Sequence, residues 1–195
     1  MVTITSGFPN ASNTGLPAGV TLTASGSIVV TKAGTVLSGL DIKGDIYVMA
    51  DNVTIQNCRI TSSSWQGINT EDVTGLVVKN CEINGQGKTA GSYGIMGAGT
   101  FIGNNIYGFE NGIGVSGDNT VIKGNYIHDL QVPGEPHYDG IAIQGGNDNV
   151  LVEDNTIIGR DTSDVFIKND FGPISNVTVM TEPFGFPEIC EPESP

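Results

Sequence analysis

The stretch DNVTIQNCRI at residues 51–60 decides the fold, because closely similar stretches recur along the chain. They read TGLVVKNCEI at 74–83, GTFIGNNI at 99–106, DNTVIKGNYI at 118–127 and NDNVLVEDNTI at 147–157. Within each copy, apolar and polar residues alternate, which indicates a short strand with one buried face. The same residue types return at the same place in each unit, so the repeat predicts strands stacked on one another.

A second series of apolar residues interleaves with the first. It consists of Ile46, Ile68, Ile95, Ile113, Ile141 and Val165. About two or three short strands per turn, stacked roughly 4.8 Å apart, make an all-β right-handed parallel β-helix with about six to seven coils and a cap at each end. A β-sandwich also has short alternating strands, but it does not repeat residue types in register. We assign residues 1–34 to an N-terminal cap with the first strands, 35–179 to the β-helix, and 180–195 to a Pro-rich C-terminal tail or cap.

One turn position in the repeat has a specific chemistry. It is occupied in successive copies by Cys58, Cys81, Asn104, Asn125 and Asn155. Stacked asparagines pass hydrogen bonds from amide to amide along the axis, and asparagine tolerates the left-handed conformation of sharp turns. The pattern predicts an asparagine ladder that begins with two buried, unbonded thiols, with a reactive or metal-binding cysteine pair as the alternative.

The net charge and the hydropathy of the chain limit the kinds of molecule that it is expected to bind. The net charge of −13 predicts that the chain binds neither nucleic acid nor an anionic membrane unless a cation intervenes. The N-terminus lacks a basic region followed by an apolar run, so no signal peptide is visible, and no segment is apolar enough to span a membrane. The expected location is a virion or the extracellular cell surface.

A resemblance to known proteins follows from longer motifs. GFPNASNTGLPAGVTLT at 7–23, PHYDGIAIQGG at 136–146 and NDFGPISNVTV at 169–179 resemble a bacterial and phage group of β-helix repeat proteins in the pectate-lyase-like superfamily. The resemblance covers residues 7–179 and implies the fold, whereas the group has no single reaction. Pectate lyases of the superfamily use calcium and an arginine base, a pattern that cannot be carried over to this chain.

The longest inserts between strands predict a groove. They span residues 84–92 and 128–138, and the short turn 107–110 lies between them. The acidic and histidine residues expected to border the groove are His128, Asp129, Glu135, His137 and Asp139, with Glu110 one coil away and Asp161 and Asp164 one coil beyond. The candidate catalytic residues are His137, Asp139 and Asp164. Carboxylates on neighbouring coils suit glycoside hydrolysis, and a histidine base with calcium suits a lyase. The alternative is a purely structural loop; no ligand set for a metal is assigned, and calcium is the one cofactor considered.

Exposed aromatic rings near the groove would stack on sugars. The candidate glycan-binding residues are Trp65, Tyr93, Tyr107, Phe109 and Tyr138. The sequence therefore favours a structural or glycan-facing protein, such as a phage spike or decoration subunit or a bacterial surface component. The alternative is a polysaccharide lyase or glycoside hydrolase of the pectate-lyase-like class. We expect self-association, and the resemblance to spikes suggests a trimer. We also expect other virion or surface proteins to dock on residues 180–195. In that tail, Phe184, Phe186 and Ile189 either plug the open end of the β-helix or contact another chain.

Overall fold

Short β-strands account for all the regular secondary structure that the computed structural model describes, which covers residues 7–70, 72–160 and 162–180. In chain order the strands are β1 (Thr23–Ser25), β2 (Ile28–Val30), β3 (Val36–Ser38), β4 (Leu40–Lys43), β5 (Ile46–Val48), β6 (Thr54–Gln56), β7 (Arg59–Thr61), β8 (Gln66–Thr70), β9 (Val77–Lys79), β10 (Glu82–Asn84), β11 (Tyr93–Gly97), β12 (Thr100–Ile102), β13 (Asn105–Tyr107), β14 (Asn111–Val115), β15 (Val121–Lys123), β16 (Tyr126–His128), β17 (Asp139–Gln144), β18 (Asp148–Glu153), β19 (Thr156–Ile157), β20 (Ser163–Lys168) and β21 (Ser175–Met180).

Every third strand belongs to the same sheet, so the chain winds through three seven-stranded parallel sheets. Sheet 1 contains β1, β4, β7, β10, β13, β16 and β19; sheet 2 contains β2, β5, β8, β11, β14, β17 and β20; sheet 3 contains the remaining seven strands. One strand from each sheet makes one coil, and the structure has seven coils. The prediction of a parallel β-helix with about six to seven coils is confirmed.

Stacked isoleucines fill the interior. In sheet 1, Ile60, Ile83 and Ile106 occupy equivalent positions in consecutive coils, and all three are completely buried. Ile113 and Ile141 of sheet 2 pair in the same way and are also completely buried. Each such side chain contributes about 1.5 to 3 kcal/mol by leaving water, so the core is a sum of small, repeated contributions.

The predicted asparagine ladder is present. The side-chain oxygen of Asn125 accepts two hydrogen bonds from Asn104, one from its backbone N–H and one from its side-chain amide, both at 2.9 Å. The side-chain oxygen of Asn155 accepts the same two hydrogen bonds from Asn125. The left-handed conformation, however, is adopted by the residue before the ladder position, as at Asn57 and Asn80. The expectation that the ladder residues themselves adopt it was wrong, because their amides must point inward along the axis.

A column of glycines makes sheet 2 bend. Gly67, Gly94, Gly112 and Gly140 precede the buried isoleucines of their strands. A Cβ atom at Gly112 or Gly140 would collide with an isoleucine of sheet 1, so these glycines also face the interior. Two consecutive inward residues interrupt the alternation of the strand, which requires a local bend in its backbone.

The N-terminal segment runs beside later coils before it enters the first. Gly15 is buried, and its N–H donates to the carbonyl of Gly103 at 2.8 Å. A Cβ atom at Gly15 would lie 2.7 Å from the Cβ of Asn105, so only glycine allows this close approach. The division of the chain at residues 34 and 179 stays a prediction, and residues 181–195 lie outside the described residues. The described part of the chain contains no helix of the length and hydropathy needed to cross a membrane.

Candidate functional site

Four consecutive coils each carry one prominent side chain at, or just before, the first residue of their strand in sheet 2. These residues are Trp65, Tyr93, Glu110 and Asp139, and we call them the strip. Neighbouring coils are about 4.8 Å apart, so the strip extends over about 14 Å. It combines an aromatic end with an acidic end, which is the composition expected of a surface that binds polar ligands with apolar faces.

The aromatic end of the strip consists of Trp65 and Tyr93. The side chain of Trp65 is 62% exposed. Its ring lies against Gly91, where an added Cβ would come within 2.7 Å of the indole. Tyr93 follows one coil later, and its ring lies over Gly114, where a Cβ would come within 3.0 Å of the tyrosine ring. Small residues beneath the rings thus hold both aromatic faces at the surface.

The acidic end is fixed by backbone hydrogen bonds. Glu110 Oε2 accepts the N–H of Gly91 at 2.5 Å, which joins the carboxylate to the glycine that supports Trp65. The N–H of Asp139 donates to Asn111 Oδ1 at 2.9 Å. A backbone amide therefore holds the carboxylate of Glu110, whereas the side chain of Asn111 holds the backbone of Asp139 on the neighbouring coil.

The ionisable groups of the strip influence one another's pKa values. Burial raises the pKa of Asp139, the charge of His137 lowers it, and the negative charge of Glu110 raises it. The pKa of the Tyr93 hydroxyl is raised by burial and then by the charges of Asp139 and Glu110. The strip thus places two carboxylates and one phenol close enough to influence one another's protonation.

The structure pairs Asp139 with a different carboxylate from the one predicted. Asp139 is opposite Ser163, so Asp164 is opposite Gly140, at a position that faces the interior. Side chains alternate along a strand, and Asp164 lines a cavity at the open end of the last coil. Asp164 therefore does not join the strip, whereas Glu110, which the sequence placed one coil from the border of the groove, does. His137 is exposed beside Asp139.

Three of the five predicted aromatic residues do not join the strip. Phe109 is completely buried, and it packs against Gly85 and Gly67, so the prediction that it binds glycans was wrong. Tyr138 is only 4% exposed; its hydroxyl lies 3.4 Å from the backbone N and O of Val132, and Arg160 lies over its ring at 5.3 Å. That ring is covered on one face and cannot serve as an open platform.

Tyr107 lies on the outer face of sheet 1, in a polar network that sequence analysis missed. Its hydroxyl donates to Glu82 Oε1 at 2.8 Å, and Glu82 Oε2 pairs with Arg59 at 2.9 Å. Burial and the contact with Glu82 raise the pKa of Tyr107 to about 12. His128 stacks between Tyr107 and Tyr126, with ring centroids 5.2 and 4.1 Å away. Only the register of sheet 1 brings these residues together.

Comparison with protein families agrees with this geometry. Residues 88–181 match the family model described as a right handed beta helix region, which runs from the loop before β11 to the end of β21. The protein is a right-handed parallel β-helix repeat protein. No curated protein and no solved structure matches the chain.

In this β-helix protein, the long insert at 128–138 folds back onto the coils. The N–H of Gln131 donates to the carbonyl of Phe109 at 2.9 Å. At the other end of the insert, Thr162 Oγ1 donates to the carbonyl of Tyr138 at 2.5 Å. Both ends of the insert are therefore hydrogen-bonded to neighbouring coils, and the groove beside it stays a prediction.

The described residues of the β-helix protein contain no cluster of side chains that could bind a metal ion. Across 7–70, 72–160 and 162–180, no three histidine, cysteine, aspartate or glutamate side chains come together in a way that could hold a metal ion. Cys58 and Cys81 are buried free thiols. A hydrogen bond from Cys81 lowers the pKa of Cys58 to about 7, and burial raises the pKa of Cys81.

Proposed function

We propose that this β-helix protein binds a neutral glycan along the strip, as a structural component of a phage virion or a bacterial surface. The observation that carries the proposal is the exposure of Trp65, 62% of whose surface is open to solvent beside a second aromatic ring and two carboxylates. An exposed indole beside a second aromatic ring offers an apolar face on which a sugar ring can stack.

The chemistry of the strip selects the class of sugar. Aromatic faces stack on the C–H faces of sugar rings, and carboxylate oxygens accept hydrogen bonds from hydroxyl groups. Glu110 and Asp139 make the strip negative, and the chain as a whole has a net charge of −13. An anionic polysaccharide would be repelled, so a neutral glycan is the expected ligand.

The scaffold suits a rigid surface component. Each coil is hydrogen-bonded to its neighbours, which gives a stiff rod that presents the strip in a fixed geometry. We propose that copies associate, with a trimer as the expected state, as in a spike or decoration subunit. Light scattering coupled to size-exclusion chromatography tests this; a monomer at all concentrations would contradict it.

The binding proposal is tested with a glycan array followed by calorimetry on the best ligand. We expect Trp65→Ala to weaken binding about tenfold, because a stacked ring contributes about 1 kcal/mol beyond its buried area. Phe171→Ala is the matched control, since Phe171 is a 75% exposed aromatic residue in the last coil, away from the strip. Equal affinity of wild type and Trp65→Ala would refute the assignment.

A second candidate function is glycan cleavage, and the coupling of Glu110 with Asp139 favours it. Glycoside hydrolysis uses two carboxyl groups on either side of one bond, one of which must be protonated at the working pH. Burial raises the pKa of Asp139, as the general acid requires, and Glu110 on the neighbouring coil supplies the second carboxylate. In the lyase alternative, His137 would act as the base and a calcium ion would neutralise a uronate.

Cleavage is tested by measuring reducing ends and unsaturated uronates released from a polysaccharide panel, with and without calcium. We expect Asp139→Asn and Glu110→Gln to abolish hydrolysis while leaving binding within a few-fold of wild type. Asp72→Asn, an exposed position outside the strip, is the control for loss of one charge. Binding without product from any glycan would exclude the catalytic candidate and leave the binding proposal standing.

A further inference from the structure

The outer side of sheet 3 is a surface to which the glycan proposal gives no role. In its short strands the middle residue, such as Ile55, Val78 or Phe101, is completely buried, so the residues on either side point outward. Because the strands are in register, these outward residues form two columns along the β-helix. The first column is Val36, Thr54, Val77, Thr100, Val121, Leu151 and Thr178, and the second is Ser38, Gln56, Lys79, Ile102, Lys123, Glu153 and Met180. We call these two columns the sheet 3 face.

The first column carries no charge along its whole length. Its members are valine, threonine and leucine, and Val36 at one end is 59% exposed. In the second column, Ile102 and Met180 are exposed apolar side chains. An apolar row that crosses all seven coils is the kind of surface that sheets bury by packing face to face.

The charges of the sheet 3 face are divided between its two halves. Lys79 lies in the first half, and it forms no ion pair with any carboxylate that the structure describes. In the second half, Lys123 Nζ lies 2.7 Å from Glu153 and 3.7 Å from Asp154, so two negative charges accompany one positive charge. The first half is therefore positive and the second half is negative.

This division makes the face complementary to itself in one orientation. A two-fold axis parallel to the strands, midway between β12 and β15, sets each column opposite the same column of a second copy and reverses the order of the coils. It places β9 opposite β18 of the second copy. Lys79 then faces Glu153, and Val77 faces Leu151. Each of these pairs occurs twice because the contact is symmetric.

We propose that a second copy of this chain packs on the sheet 3 face in this antiparallel orientation. Sheets packed face to face lie about 10 Å apart, a gap that the side chains of Lys79 and Glu153 span together. The overlap covers six coils, roughly 29 Å by 10 Å, which is small for a protein interface. Two chains of net charge −13 also repel each other. We therefore expect a weak dimer that forms at high protein concentration.

The charges disfavour a parallel arrangement of the two copies. A two-fold axis along the β-helix would set the first column against the second column at the same level. Lys79 would then lie against Val77, and Glu153 would lie against Leu151. These charges would lose water without gaining a partner of opposite sign, which is costly. The antiparallel orientation avoids this cost.

The contact goes beyond the glycan proposal, because no residue of the strip belongs to the sheet 3 face. It is also separate from the proposed trimer: without a trimer it gives two copies, and with one it gives six. Light scattering coupled to size-exclusion chromatography should find one of these numbers at high protein concentration. One or three copies at every concentration would overturn the proposal, and three would leave the trimer proposal standing.

Cross-linking tests the orientation of the two copies. Thr54 and Thr178 lie in the second and seventh coils, about 24 Å apart within one chain, but the antiparallel contact sets them opposite each other. Cys190→Ser leaves only the two buried native thiols in the background. We expect a short bismaleimide to join two copies of Thr54→Cys/Thr178→Cys into a covalent dimer on a denaturing gel. A yield no higher than in the Thr54→Cys and Thr178→Cys single variants would overturn the proposal.

Charge reversal tests the pair that selects this orientation. In Lys79→Glu, a carboxylate at position 79 would face Glu153 of the second copy twice, so we expect the dissociation constant to rise about tenfold or more. Lys88→Glu is the matched control, because it makes the same charge change in the insert 84–92, outside sheet 3. Sedimentation velocity over a concentration series measures both. Equal dissociation constants for the two variants would mean that net charge alone controls association, and the proposed contact would be wrong.

Discussion

Replacing one ladder residue, Asn125→Ala, tests what holds the coils together. Asn125 is completely buried, its side-chain oxygen accepts two hydrogen bonds from Asn104, and its amide donates to the carbonyl of Phe101 at 2.9 Å. The substitution leaves the N–H of Asn104 and the carbonyl of Phe101 buried without these partners. Each orphaned group costs about 1 to 3 kcal/mol, so we expect the free energy of unfolding to fall by about 2 to 5 kcal/mol.

Urea denaturation followed by circular dichroism measures this loss, provided that the slope of the transition is unchanged. Asn69→Ala is the control, because Asn69 lies on the outer side of sheet 2, and its loss should change stability by only about 0.5 kcal/mol or less. If the two variants lose the same free energy, the ladder does not stabilise the fold and the reasoning fails.

Three further predictions concern the core, the strip and the thiols. Ile141→Asp, which buries an unpaired charge, should prevent folding, and a soluble variant that melts cooperatively would contradict the ladder assignment. Burial raises the pKa of Asp139 in the folded state, so just above the ordinary aspartate pKa the folded protein binds more protons than the unfolded chain. The contribution of Asp139 to the free energy of unfolding therefore falls as the pH rises. The Tm of Asp139→Asn should therefore increase relative to the Tm of wild type as the pH rises from about 4 to about 7. A Tm difference that does not change with pH would contradict burial as the cause of the pKa shift. Cys58 and Cys81 should resist alkylation until the protein is denatured, as peptide mass spectrometry can establish, although the pKa of Cys58 is lowered to about 7.

The fold was predictable because the sequence repeats its chemistry in register. Ile60, Ile83 and Ile106 mark the same inward position in three consecutive coils, and no other architecture requires that recurrence. The asparagine ladder followed from the same alignment. Its left-handed residues were misplaced, because side-chain identity alone cannot say whether Asn57 or its neighbour Cys58 takes the unusual backbone conformation.

The site was predictable only in part, because it depends on a bend that the apolar pattern hides. Asp139 and Asp164 each precede an apolar strand residue, which suggested that they lie near each other, yet Asp164 is opposite the inward Gly140 and not opposite Asp139. The pattern also could not separate Phe109, which is buried behind the glycines, from Trp65, which is exposed. Both are aromatic residues in short connections, and only packing distinguishes them.

The contact between Gly15 and Gly103 has a consequence for how the chain folds during synthesis. Most coil-to-coil hydrogen bonds join residues between 18 and 33 positions apart, so each new coil can settle on a finished one soon after it leaves the ribosome. The segment around Gly15 is made before the coils, but its docking place beside Gly103 does not exist until four coils have formed. This segment therefore docks late, only after four of the seven described coils are in place.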